Sequence, residues 1–285
     1  MIRMDDPEFS YHKTLKKCKK GITGNNSLKE RVTSALPTLK RKGKNYLNCA
    51  QTGELFTIKP TLPQRKEDPV VIKELKKSEL VNLYETYFRA KKKPARVIYD
   101  SLMTSANEKC PFCGGIGRPK NLDHFLPKAF YPQFSVLPHN LIPACRDCNM
   151  DGKGDDYPKT KSEQIIHPYL EQLHFFDEQW IFATYTPEID SEPANLKYFV
   201  QAPEGWSDDD KRRVEMHFDA FDLAVRYSKE ANARLVTLLP QVEKLKGLEL
   251  TMDQIKFTMI EEGRKAAPFP NHWEYVMYDA LLNDL

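Results

Sequence analysis

Nowhere does the chain contain the roughly 20 consecutive apolar residues that a bilayer-spanning helix needs. Nor does a basic cluster lead into an apolar stretch of signal-peptide length near its start, where Asp5, Asp6 and Glu8 stand among the first eleven residues. Membrane-spanning and secreted classes are set aside on these grounds, and a cytoplasmic location without membrane association is the expectation. Repeats and low-complexity tracts are missing as well, which excludes solenoid and fibrous architectures. No helix-turn-helix, zinc-finger array or other sequence-reading motif is visible. What remains is a globular composition: 285 residues, 40% hydrophobic and 29% charged, enough to bury a core without disulfides for bulk stability.

The net charge of +3 conceals an uneven distribution. Residues 1 to 50 hold twelve Lys/Arg against four Asp/Glu, so the front of the chain is basic and the remainder is net acidic. A basic segment of this kind can neutralise phosphates, the sequence-independent part of nucleic-acid affinity. A solvated surface is the alternative reading.

Four of the six cysteines fall into two C-x-x-C pairs, Cys110/Cys113 and Cys145/Cys148. In a reducing compartment this spacing favours metal over disulfides, and two such pairs can supply four thiolates to a tetrahedral Zn2+. Gly114 and Gly115 let the backbone wrap around the first pair. Four thiolates leave zinc no open position, so the site is expected to be structural. The 31 residues between Cys113 and Cys145 exceed a simple zinc ribbon and should hold the active element. Cys18 and Cys49 lack partners at ligand spacing and read as packing residues.

Pro and Gly punctuation divides the chain into three regions: a basic, mainly helical stretch 1–106, a turn-rich stretch 107–160, and short strands followed by helices over 161–285. Ser78 reads as an N-cap for the apolar positions through Phe88, and Pro94 as the opening of the next helix, with Lys91, Lys92 and Lys93 at the junction. Trp180–Tyr185 and Leu196–Val200 read as a hairpin across an acidic loop. Ser207, followed by three aspartates, reads as an N-cap, with Pro240, Gly247 and Pro268 to Pro270 dividing the remainder into about four helices. The fold class expected is α+β, mainly helical.

Between the knuckles lie Asn121-Leu122-Asp123-His124-Phe125-Leu126-Pro127-Lys128, then His139-Asn140-Leu141, and finally Cys148-Asn149. Asp-His on one strand, Asn-Leu opening a second and Cys-Asn at a helix start resemble the HNH motif in its zinc-stapled form, over about 50 residues. The resemblance implies a small ββα-metal nuclease core between helical N- and C-terminal regions, hydrolysing phosphodiester bonds of DNA. His124 would be the general base, since a neutral imidazole can take the proton of an attacking water. Asp123 and Asn149 would hold a hard divalent cation, Mg2+ or Mn2+. Asn149 could instead simply cap its helix. Asn140 would brace the loop containing His124. Lys128, Arg146 and Lys153 would hold phosphates, with a solvated charged rim as the alternative. Gly152 and Gly154 point to a short or irregular final helix, which weakens the position of Lys153.

The motif and the later His167-Pro168-Tyr169 are similar to the HNH proteins of bacterial anti-phage operons, such as the nuclease subunit of Septu-type systems. That resemblance implies an ABC/SMC-type ATPase partner docking on the helical C-terminal region. A non-catalytic zinc-stabilised interaction module with an HNH-derived core stands as the alternative function.

Overall fold

The computed structural model describes residues 1–62, 67–188 and 193–285. Its architecture is α+β and mainly helical, with the described strands paired in two-stranded antiparallel sheets. Two compact units are present, Ile2–Gln172 and Leu173–Leu285.

The first unit opens with α1 (Tyr11–Gly21), capped by Ser10, whose hydroxyl accepts from the Lys13 N–H. The long α2 (Asn26–Gln51) starts where Asn25 Oδ1 accepts from Leu28 N at 2.9 Å. Val32, Ala35, Leu39, Tyr46 and Ala50 recur at helical spacing along α2 and are fully buried. That stripe carries the helix through Pro37, which removes one backbone bond. Close packing of the pair depends on Gly43: a Cβ there would lie 2.4 Å from Cδ1 of Tyr11. The Tyr11 hydroxyl donates to the Gln133 carbonyl at 2.5 Å, so this contact also anchors the loop that contains Gln133.

A short hairpin, β1 (Val70–Ile72) and β2 (Leu75–Lys76), follows, which the helical expectation did not include. Helix α3 (Lys77–Asn82) continues into a wide π-type turn, Leu83–Phe88. Ser78 is not its cap. The Glu79 carboxylate reaches back to the Lys76 N–H at 3.0 Å and starts the helix earlier, while Ser78 donates through N–H and hydroxyl to Asp68. Helix α4 (Arg96–Ser105) begins two residues after Pro94, which sits in the preceding turn. Strands β3 (Asn121–His124) and β4 (Leu141–Ala144) then pair, with Asp123 opposite Ile142 and His124 opposite Leu141. The helical segment after β4, Asp147–Lys153, is a wound π-type stretch that stops at Gly154, where φ is +53°.

In the second unit, α5 (His174–Asp177) precedes the hairpin β5 (Ile181–Thr186) and β6 (Asn195–Val200). The strands form as expected; residues 189–192 of the acidic loop between them lie outside the described residues. Asn271 fixes the start of β5, its Oδ1 accepting from the N–H groups of Trp180 and Ile181 and its Nδ2 donating to Glu178 O. Ser207 caps α6 (Asp208–Ala220) through Asp210 N, as its sequence indicated. Helix α7 (Leu223–Lys246) runs straight through Pro240 instead of dividing there. Its buried Tyr227, Ala231, Leu235, Leu238 and Val242 form one stripe on both sides of the proline, and that tertiary packing outweighs the single lost bond. The break falls instead at Asp222, in the left-handed region with φ +50°. The chain ends with α8 (Met252–Ile255), a π-type turn Lys256–Ile260, α9 (Glu261–Ala266) and α10 (Trp273–Asp284). No helix is long and apolar enough to cross a membrane among the described residues.

Candidate active site

Cys110, Cys113, Cys145 and Cys148 are all buried, and their sulfurs lie within 4.8 Å of one another. The first knuckle forms as the glycines allow: Gly114 and Gly115 take φ of +67° and +96°, Gly115 N donates to Cys110 O, and Gly117 N donates to Cys113 Sγ at 3.3 Å. Hydrogen bonding from Cys110 draws the Cys145 thiol down to about 6, while Cys110 and Cys148 are pushed up by their sulfur neighbours. For all four to be thiolates in this space a cation would have to lie among them. Buried sulfur donors in a convergent set are consistent with structural zinc. Cys18 is buried apart from this cluster, and Cys49 lies 3.8 Å from Thr57 Oγ1.

The cysteine cluster tethers both ends of the β3–β4 region, and β3 presents Asp123 and His124 to one cleft of about 530 Å³. His124 is 6% exposed. Its Nε2–H donates to the Ser135 carbonyl at 3.0 Å, because a carbonyl can only accept. That bond fixes the tautomer and leaves Nδ1 carrying the lone pair. Tyr84 packs its ring edge on the imidazole at 4.5 Å between centroids. Burial first, and the charge of Lys128 next, push the imidazole down to about 3, so it is neutral at cellular pH.

Asp123 is equally enclosed, and its Oδ2 is buried without a hydrogen-bond partner. Burial raises this carboxyl above the usual range, opposed by the charge of Lys153. Lys153 Nζ lies 3.9 Å from Asp123 Oδ2 and donates to the carbonyls of His124 at 2.9 Å and Gly154 at 3.3 Å. The structure thus buries Lys153 behind Asp123. Asn149 borders the cleft, and its Nδ2 donates to Asn121 Oδ1 at 2.8 Å, which orients the remaining Oδ1. It makes no capping bond; Arg146 occupies the N-cap position.

Lys128 also borders the cleft, 3.0 Å from Glu85 and with Nζ 5.2 Å from the centre of the Tyr84 ring. Arg146 is exposed and is not part of the cleft lining. Arg89 and Asp155 are, although nothing in their sequence context marked them.

Asn140 is fully buried and spans the loop between the strands. Its Oδ1 accepts from Leu126 N at 2.7 Å, and its Nδ2 donates to Leu126 O and Phe134 O. A second donor comes from far away in sequence: the Tyr46 hydroxyl, 2.9 Å from the same Oδ1. Because His167 Nδ1 accepts from Tyr169 N, its Nε2–H faces the Tyr46 oxygen at 3.2 Å. No local signal marks Tyr46, which stands 94 residues from its partner.

Over 293 residues the chain is 38% identical to protein ea31 of Escherichia phage lambda, spanning 99% of this chain and 97% of that protein. The chain belongs to the ea31 family. This ea31-family chain is also 35% identical over 75 residues to Septu protein PtuB of Bacillus thuringiensis, a match that covers 25% of the chain and 28% of PtuB. No protein-family model matches, and neither does any solved structure.

Proposed function

We propose that this ea31-family protein is a metal-dependent HNH endonuclease whose ββα-metal core, residues 107–160, hydrolyses phosphodiester bonds of DNA. The observation that carries the reading is His124: a neutral imidazole held by Ser135 through Nε2, with an open Nδ1, beside a buried carboxylate that has an orphaned oxygen. Partial similarity to PtuB supports it independently.

The residues divide the work as follows. His124 Nδ1 takes a proton from the attacking water as the new P–O bond forms, and the ester P–O bond breaks on the opposite side of phosphorus. Ser135 keeps the ring in the tautomer that can do this. Asp123 Oδ2 and Asn149 Oδ1 are hard oxygen donors suited to Mg2+ or Mn2+, and the buried orphan on Asp123 is the polar atom such an ion would satisfy. When bound, the ion would supply charge stabilisation to the phosphate and the leaving oxygen. Lys153 offsets the cost of an ionised Asp123 away from water. Lys128 is positioned to hold a phosphate in the cleft, while Arg146, outside its lining, would reach only flanking nucleotides. Asn140 acts on His124 indirectly, by fixing the intervening loop. The regions 1–106 and 161–285 flank this core. By its resemblance to Septu-type nucleases we assign the protein to anti-phage defence with an ABC/SMC-type ATPase partner docking on the helical region 161–285.

A second reading, a non-catalytic zinc-stabilised interaction module, is favoured by the enclosure of His124 and by Lys153 standing 3.9 Å from the carboxylate. Cleavage of plasmid DNA by the zinc-loaded protein separates the two. The nuclease reading predicts cutting with Mg2+ or Mn2+ that stops on chelation with zinc retained. Absence of cutting, with and without the ATPase, would favour the module.

A further inference from the structure

The cleft has a basic rim that the motif does not include. Arg89 borders the cleft at the end of the π-type turn, and Tyr99 of α4 borders it again, so the loop joining them leaves from and returns to its edge. Between Glu85 and Asp100 the chain has Arg89, Lys91, Lys92, Lys93 and Arg96 and no carboxylate. Three of these five cations are engaged. Arg89 pairs with Glu85 at 2.8 Å. Arg96 pairs with Asp100, donates to the Arg89 carbonyl at 2.6 Å, and lies over the Tyr99 ring, closing the loop on itself. Lys93 donates to Gly21 O at 2.9 Å, tying the loop to the end of α1, where Lys19 and Lys20 occupy the last turn. Two successive turns, Lys93 N to Ala90 O and Arg96 N to Lys93 O, hold the segment in shape. Lys91 and Lys92 are exposed and face no carboxylate partner among the described residues.

We propose that the loop Arg89–Arg96 is the docking lip for the sugar–phosphate backbone of the nucleic acid, with Lys91 and Lys92 as its phosphate contacts. The inference rests on the cleft being a phosphodiester site. It goes beyond that reading by placing substrate affinity on a pre-formed loop outside the motif. Two uncompensated ammonium groups on a braced loop cost little ordering when they meet phosphates and release counterions when they do. The rival surface is the α1–α2 face, where Lys16 and Lys40 both act on His12.

The test is the salt dependence of binding, read by titrating labelled duplex and single-stranded DNA into the full-length, zinc-loaded protein without added divalent ion, so that no cleavage is required. Lys91→Ala/Lys92→Ala should weaken binding and reduce the slope of log K against log salt by about 1.8 for duplex or about 1.4 for a single strand, as loss of two phosphate contacts demands. Lys40→Ala/Lys42→Ala, also on exposed positions, should leave the slope unchanged. A slope change with one strand form and none with the other identifies the form engaged. An unchanged slope in the loop variant with both forms, equal losses in both variants, or no binding by the unmodified protein at low salt would each overturn the proposal. Binding that behaves as expected in a protein that cuts nothing would leave the lip in place and remove the nuclease reading instead.

Discussion

The Tyr46 hydroxyl donates to Oδ1 of Asn140 across 2.9 Å, joining the C-terminal part of α2 to the loop that carries the chain from His124 to β4. Asn140 thereby uses both acceptor directions of its oxygen and both hydrogens of its amide. Asn140→Ala takes the partner from the Leu126 N–H and C=O, while Phe134 O keeps the Leu137 N–H, and each buried group so left costs about 1–3 kcal/mol. Chemical denaturation should show a loss on the order of 3 kcal/mol or more for Asn140→Ala, and about 2 kcal/mol for Tyr46→Phe, which removes both the donation to Asn140 and the acceptance from the His167 Nε2–H. In a cleavage assay Tyr46→Phe should lower kcat with little change in KM, because the hydroxyl touches the brace and not the substrate.

Asp123 is held at a cost to the fold. Its carboxylate is 6% exposed, with Oδ2 lacking a hydrogen bond and the buried Lys153 ammonium 3.9 Å away, so Asp123→Asn removes one buried charge while keeping the shape and leaves the Lys153 charge uncompensated. The two effects oppose each other, and thermal unfolding should place the variant within about 1 kcal/mol of the unmodified protein. Binding of Mg2+ or Mn2+, followed by calorimetry, should be lost in the same variant. A loss of about 3 kcal/mol or more would mean that the Asp123–Lys153 pair serves the fold instead.

Removal of the metal from the cysteine cluster should unfold the β3–β4 region. The zinc-loaded protein should contain about one zinc per chain, as four thiolates imply. Cys145→Ala should lower both zinc content and melting temperature, measured by elemental analysis and circular dichroism. Cys49→Ala, at a half-buried position outside the cluster, should change neither.

Gly43→Ala tests the α1–α2 contact. Its Cβ would meet the Tyr11 ring at 2.4 Å, so the helices must separate or the ring must move, a cost of about 1–3 kcal/mol in overpacked cores. The same displacement breaks the Tyr11 bond to Gln133, and amide exchange around residues 132–135 should quicken.

Features written in short stretches of sequence were legible. The two cysteine pairs come together because each C-x-x-C turn is local, and only one closure remained to be made. The hairpin of β5 and β6 and the Ser207 cap likewise depend on neighbours within a few residues. Features set by tertiary packing were not. Helix α7 passes Pro240 because its buried stripe continues, and Ser78 turns to Asp68, ten residues away, instead of capping α3. At the site, the Asp-His pair and Asn140 could be found from the motif. The burial of Lys153 against Asp123, the Tyr46 donor and the Ser135 carbonyl could not, since each depends on how distant backbone is brought back to β3.

The most direct test of the account is supercoiled plasmid cleavage with Mg2+, comparing the unmodified protein with His124→Ala at equal zinc content, each with and without the proposed ATPase partner. The account predicts nicked or linear product from the unmodified protein and a rate at least about 100-fold lower from the variant, the size expected when a general base is removed. Equal cutting by both proteins, or none by either, would contradict it.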